Sequence, residues 1–168
     1  MKILDFCYDE VPENVKVTQI YGVPFTENGK ILIRKEIHKG KDFYSLGGGT
    51  PEQKDKDLNE TLKREMLEEV NVTLKGDIFY IGYQPIDEEN GEPVYAQVRS
   101  TALISEIGEK SPDPDNGKIY DRFLVSSKKA IELLNWGDNG AKIINKATEI
   151  IEKEFNIKIY QGEEIEEV

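Results

Sequence analysis

Apolar residues recur every fourth position through Leu58, Leu62, Met66 and Val70, which draws a single stripe down one side of an α-helix. Asp57, just ahead of that run, is a good N-cap, and Glu60 three residues later completes a capping box. A second helical spacing, through Ile143, Ile144, Ala147, Ile150 and Ile151, predicts a helix over Ala141 to Phe155. A shorter helix is predicted over Lys129 to Asn135, capped by Ser126 or Ser127. Elsewhere the pattern is that of strands. Runs rich in β-branched and apolar residues cover Val15 to Phe25 and Ile31 to Glu36, joined by the turn Glu27-Asn28-Gly29. Two more, Asp77 to Ile86 and Val94 to Ile104, flank the hairpin signal Asp87 to Gly91, and Ile119 to Val125 is a fifth. Met1 to Tyr8 reads as a short edge strand, and Ile157 to Tyr160 as one more before a frayed acidic end at Glu163 to Glu167. Interleaved strands and helices predict an α/β/α sandwich, a mixed sheet flanked by helices.

Length and composition narrow the class. A chain of 168 residues is enough for one compact domain, residues 1–168, with a real core. It has no internal repeat and no apolar run long enough to cross a bilayer. The N-terminus lacks the basic start and long apolar core of a secretory signal, and the single cysteine, Cys7, rules out an internal disulfide framework. A cytoplasmic location is expected. With 33 acidic and 22 basic residues the net charge is −11, which disfavours long nucleic acids. A small nucleotide stays in play, because a bound cation inverts the sign of a local site.

The predicted helix over Leu58 to Val70 concentrates charge. Glu65, Glu68 and Glu69 share one side of it, with Arg64 just outside the arc. Three carboxylates so close repel one another unless something positive sits among them. The bland alternative is a solvated acidic face. What argues against that is the triplet Gly47, Gly48 and Gly49 just upstream, where a backbone can approach a ligand or metal closely.

Together these residues resemble the signature box of the Nudix hydrolases, written G-x5-E-x7-R-E-U-x-E-E-x-G-U with U a bulky aliphatic residue. Arg64-Glu65-Met66-Leu67-Glu68-Glu69-Val70-Asn71-Val72 fits its second half, with Asn71 in place of the final glycine. Asparagine is the usual substitute where a helix ends in left-handed conformation. Tyr44-Ser45-Leu46-Gly47-Gly48-Gly49 resembles the family's W-x-L-P-G-G entry. Counting from Gly49 puts the upstream acid on Asp55, whereas counting back from Arg64 lands on Lys56. One inserted residue before Asp57 reconciles the halves and leaves the acid's part open.

The resemblance implies a metal-dependent pyrophosphohydrolase that cleaves a nucleoside diphosphate linked to another group X, by water attack on phosphorus. It implies Mg²⁺, or Mn²⁺, held by Glu65, Glu69, Glu68 and the carbonyl of Gly48. Glu68 is the first choice of general base, with Asp113 or Asp115 on the loop Gly108 to Lys118 as rivals, and Glu65 and Arg64 complete the catalytic set. Gly48, Gly49, Arg99 and Arg122 are expected at the substrate, and Arg34 and Lys35 are further candidates for a phosphate. Tyr80, Tyr83, Tyr95 and Tyr120 fit packing better than stacking on a base. His38 stands alone, which disfavours a Ser-His-Asp or zinc mechanism. A catalytically weak or inactive nucleotide-binding module on the same fold is the alternative, followed by an unrelated phosphohydrolase or an acidic interaction domain. A homodimer is left open, as is the identity of X.

Overall fold

The computed structural model describes residues 1–168. Nine strands and three helices run in the order β1 (Lys2–Ile3), β2 (Val17–Phe25), β3 (Ile31–His38), β4 (Lys41–Ser45), β5 (Gly48–Gly49), α1 (Leu58–Val70), β6 (Val72–Asp87), β7 (Tyr95–Ile107), β8 (Asp121–Val125), α2 (Ser127–Leu134), α3 (Gly137–Phe155) and β9 (Glu166–Glu167). They form one mixed sheet with the spatial order β1-β6-β7-β2-β3-β8-β9, with β4 on β3 and β5 on β2. The β2–β7 pair is parallel, and every other pair is antiparallel.

Alternation along the strands sorts side chains to two faces. On β7, Val98, Ala102 and Ile104 join one apolar cluster with Leu62, Met66 and Val70 of α1, while Leu103 joins the other with Ile143, Ile144 and Ile151 of α3. The sheet is therefore covered by α1 on one side and by α2 and α3 on the other, as predicted. Gly22 lets α1 sit close, since a Cβ there would meet Met66 Cε at 2.8 Å. No helix is long and apolar enough to cross a membrane.

Helix ends follow local chemistry. Asp57 caps α1, its carboxylate accepting from the Glu60 N–H at 2.8 Å, and Ser126 caps α2 in the same way through Lys129. Asn71, Asn135 and Asn156 close the three helices in left-handed conformation. Several boundaries differ from expectation. β6 starts at Val72 rather than Asp77, and shifts of register between Lys75 and Phe79 absorb the polar Gly76-Asp77 pair that hid its first half. β4, rich in charge, pairs with β3 without any apolar alternation to announce it. α3 begins at Gly137, four residues ahead of the predicted start at Ala141. The acidic end is not frayed, because Glu166 and Glu167 pair with Leu124 and Phe123 of β8, and Glu164 and Glu166 lie beside the buried Lys30 amine. Ile157 to Tyr160 forms no strand, although Ile159 is buried and the Tyr160 N–H donates to the Gly29 carbonyl.

One feature of the sheet makes room for a site. β2 pairs with β3 only at Phe25 and Ile31, and from Arg34 on β3 pairs with β4 instead, while β8 holds its other edge. The two strands splay, and Gly48 and Gly49 occupy the gap beside Tyr21 and Ile20 of β2.

Candidate active site

Two cavities open along this splay, and Tyr21 of β2 and Arg34 of β3 line both. The smaller, about 330 Å³, is polar. It is bounded by Gly48 to Glu52, Glu65 and Glu69 of α1, and Asp113, Asp115 and Asn116 of the loop before β8. The larger, about 490 Å³, lies on the α2/α3 face.

Glycine is required at the floor of the smaller cavity. A Cβ on Gly48 would stand 2.2 Å from the Ile20 carbonyl, and one on Gly49 would stand 2.4 Å from the Glu65 carboxyl carbon. The doublet thus threads between β2 and the acidic side of α1.

Arg64 organises the acids. Its Nε and Nη2 donate to the two oxygens of Asp55 at 3.1 and 3.0 Å, and Nη2 also donates to the Thr50 carbonyl. Its Nη1 donates to Glu65 and Glu68, each at 3.1 Å. Asp55 accepts further bonds from the Glu52 N–H and the Thr61 hydroxyl, and these with Arg64 hold its carboxyl far below the usual carboxylate range. Asp55, and not Lys56, is the residue that the loop sets on Arg64.

Glu65, Glu68 and Asp115 bring carboxylate oxygens within 4.8 Å of one another. Burial raises the Glu65 pKa, with Arg64 opposing it. Glu69 stands slightly apart, on Arg34 Nη1 at 3.1 Å, and its other oxygen is buried with no hydrogen-bond partner. Burial pushes its pKa up to about 7, even though Arg34 and the backbone of Gly48 pull the other way. An orphaned carboxylate oxygen beside three convergent acids fits a hard cation, and an all-oxygen donor set suits Mg²⁺ or Mn²⁺.

Asp113 and Asp115 separate in role. Asp113 is buried and accepts the Asp115 N–H at 2.9 Å, shaping the turn, whereas Asp115 reaches the glutamates. Tyr120 is buried under the Arg34 guanidinium, 4.4 Å from ring centroid to Cζ.

No protein-family model and no curated protein matches the chain. Solved structures do. A candidate Nudix hydrolase from Listeria monocytogenes superposes with a TM-score of 0.59 at 18% identity, over 86% of this chain and 100% of its own. The Nudix domain of Shewanella oneidensis NrtR, solved with ADP ribose, gives 0.58 at 18%, over 82% and 90%. A Nudix hydrolase from Nitrosomonas europaea gives 0.55 at 15%, over 86% and 93%. The chain has the Nudix fold. At such identities the likeness carries the architecture, and the chemistry has to be argued from the side chains.

Two arginines of the Nudix-like chain lie away from the acids. Arg122, expected beside substrate, lines neither cavity. It is buried on the α1 face, where Nη1 donates to the Val70 carbonyl at 2.8 Å and Nε to that of Val168. A cation at the C-terminal end of α1 satisfies carbonyls that the helix leaves unpaired. Arg99, expected at a phosphate, alternates onto the opposite face and lines the larger cavity between Tyr21 and Trp136, its Cζ 4.9 and 5.8 Å from the two rings. Burial pulls its pKa down to about 10. Arg34 stands between the cavities, and Lys35 turns instead to Asp42 and Asp121.

Tyr21, Gln84, Gln97 and Trp136 escaped the sequence reading. A signal was present. Gln19, Gln84 and Gln97 align across β2, β6 and β7, and polar residues at alternate positions of buried strands mark a face that a ligand or a network must satisfy.

Proposed function

We propose that residues 1–168 form a Mg²⁺-dependent hydrolase of a nucleoside diphosphate linked to another group X. The observation that carries this is the convergence of Glu65, Glu68 and Asp115 beside the buried, half-paired Glu69 at a glycine floor. Glu65, Glu69 and Asp115, with the Gly48 carbonyl, would hold the metal, and Glu68 stands beside them. A divalent cation supplies Lewis acidity at a phosphoryl oxygen, offsets developing negative charge, and lowers the pKa of water.

The chain's own groups do the rest. Arg64 holds Glu65 and one oxygen of Glu68 in place while anchored to Asp55. The other Glu68 oxygen is left to accept a proton from the attacking water, which makes Glu68 the general base in this reading. Asp115, opposite it, orients that water. Arg34, with Tyr120 packed against it and Nη1 on Glu69, lines both cavities and is the guanidinium that would pair with a phosphate. Gly49 lets a phosphate approach the backbone.

The test is product formation from a panel of nucleoside diphosphate derivatives, with Mg²⁺ and with chelator. Turnover should require the cation, and Glu65→Gln should lower it at least about a hundredfold with an unchanged circular dichroism spectrum. Turnover indifferent to chelator and to Glu65→Gln would overturn the proposal. Tight nucleotide binding without turnover in Mg²⁺ or Mn²⁺ would make the chain a binding module.

A further inference from the structure

We propose that the larger cavity selects a nucleobase with a carbonyl oxygen at purine C6 or pyrimidine C4, as in guanine, hypoxanthine or uracil, over one with an amino group at that position, and that Arg99 makes the choice. The inference rests on the nucleotide reading above and names the substrate class within it. The cavity, at about 490 Å³, falls in the range of small-molecule sites. Because Tyr21 and Arg34 line both cavities, one nucleotide reaches from the acids into it. Phe43, Trp136 and Tyr21 supply flat apolar walls suited to a ring.

Three polar side chains of the lining are committed to the protein itself. Gln84 donates to the Leu4 carbonyl, and Asn139 accepts from the Phe6 N–H while donating to Leu4. Gln97 donates to Gln19 and accepts from Arg99. Tyr21, Asn135 and Trp136 keep free donors at the wall, and Arg99 is the one charged group there with a buried donor left over. It is 6% exposed, no carboxylate contributes to its charge balance, and its Nε has no acceptor. Its contacts to the Gln97 and Val98 carbonyls are long, at 3.4 Å.

A buried guanidinium in that state calls for an acceptor. Guanine offers two, N7 and O6, on one edge, whereas adenine replaces the oxygen with an amino donor that would face N–H with N–H.

Trp136 is the only tryptophan and lines this cavity, so quenching of its fluorescence, corrected for nucleotide absorbance, reports occupancy. Titration with GMP, IMP, UMP, AMP and CMP in chelator reads the choice without any turnover. GMP, IMP and UMP should bind about tenfold tighter or more than AMP and CMP, and Arg99→Met, folded by circular dichroism, should erase the ratio. If that variant does not fold, the wild-type ratio decides alone. Equal affinities, tighter binding of AMP or CMP, or quenching by inorganic pyrophosphate as strong as by GMP would overturn the proposal. A chain that hydrolyses nothing yet keeps the ratio would refute the hydrolase reading only, and one that hydrolyses every base alike with no ratio would refute this one only.

Discussion

Glu69 offers the sharpest test of how the site is poised. It is 7% exposed, one oxygen is on Arg34, the other is unpartnered, and burial lifts its pKa from the ordinary 4.5 to about 7. Between those values the folded chain holds a proton that the unfolded chain has released. Stability from this group is therefore complete below about pH 4.5 and is lost as pH rises through about 7. At roughly 1.4 kcal/mol per pH unit, the loss is about 3 kcal/mol. Glu69→Gln carries no titratable proton and keeps an oxygen for Arg34. In chelator the variant should match the wild type near pH 4 and exceed it by about 3 kcal/mol near pH 8, roughly 6–12 °C in Tm for a chain of this size. Other groups also titrate, including Glu65, whose pKa is raised by burial. The difference between the two proteins across pH, from urea unfolding, isolates the one of interest. Saturating Mg²⁺ near pH 8 should shrink or reverse the gap, since the cation prefers the ionised wild type. A gap that is the same at every pH, or a variant less stable near pH 8, would refute the argument that burial dominates Glu69.

Gly49→Ala puts a methyl group where the Glu65 carboxyl carbon would be 2.4 Å away. Mg²⁺ affinity by calorimetry and turnover should both fall, by about tenfold or more, while α1 remains intact by circular dichroism. Asp55→Asn removes the paired acceptor of Arg64 and should slow turnover by about tenfold or more through misplaced Glu65 and Glu68. A rate within twofold of the wild type would return Asp55 to an ordinary loop residue. Arg122→Met leaves the Val70 and Val168 carbonyls without their donor. It should cost about 1–3 kcal/mol in urea unfolding and leave KM unchanged, whereas a large rise in KM would place Arg122 back at the substrate.

The α1 helix, its caps and its acidic side were legible in the chain, because a four-residue apolar spacing and an N-cap act within one or two turns of backbone. The same is true of α2 and of most of β2, β3, β7 and β8, whose apolar runs are bracketed by the turn at Glu27 to Gly29, the polar stretch at Asp87 to Gly91 and the loop at Gly108 to Lys118. Asp55 could not be settled that way. A count of positions cannot tell whether an inserted residue displaces a side chain or bulges aside, and only the closed loop shows Asp55 on Arg64. Arg99 and Arg122 looked alike in the chain, each a basic residue among strand formers. Their register on β7 and β8 sends one to the α2/α3 face and the other beneath the end of α1. Asp115 and Tyr21 lie far from α1 in sequence, and they reach the cavity it lines because β2 and β3 splay and the loop before β8 folds over the gap. Local chemistry thus decided which residues could bear charge at a turn of helix. The pairing of distant strands, driven by burial of both sheet faces, decided which of them meet.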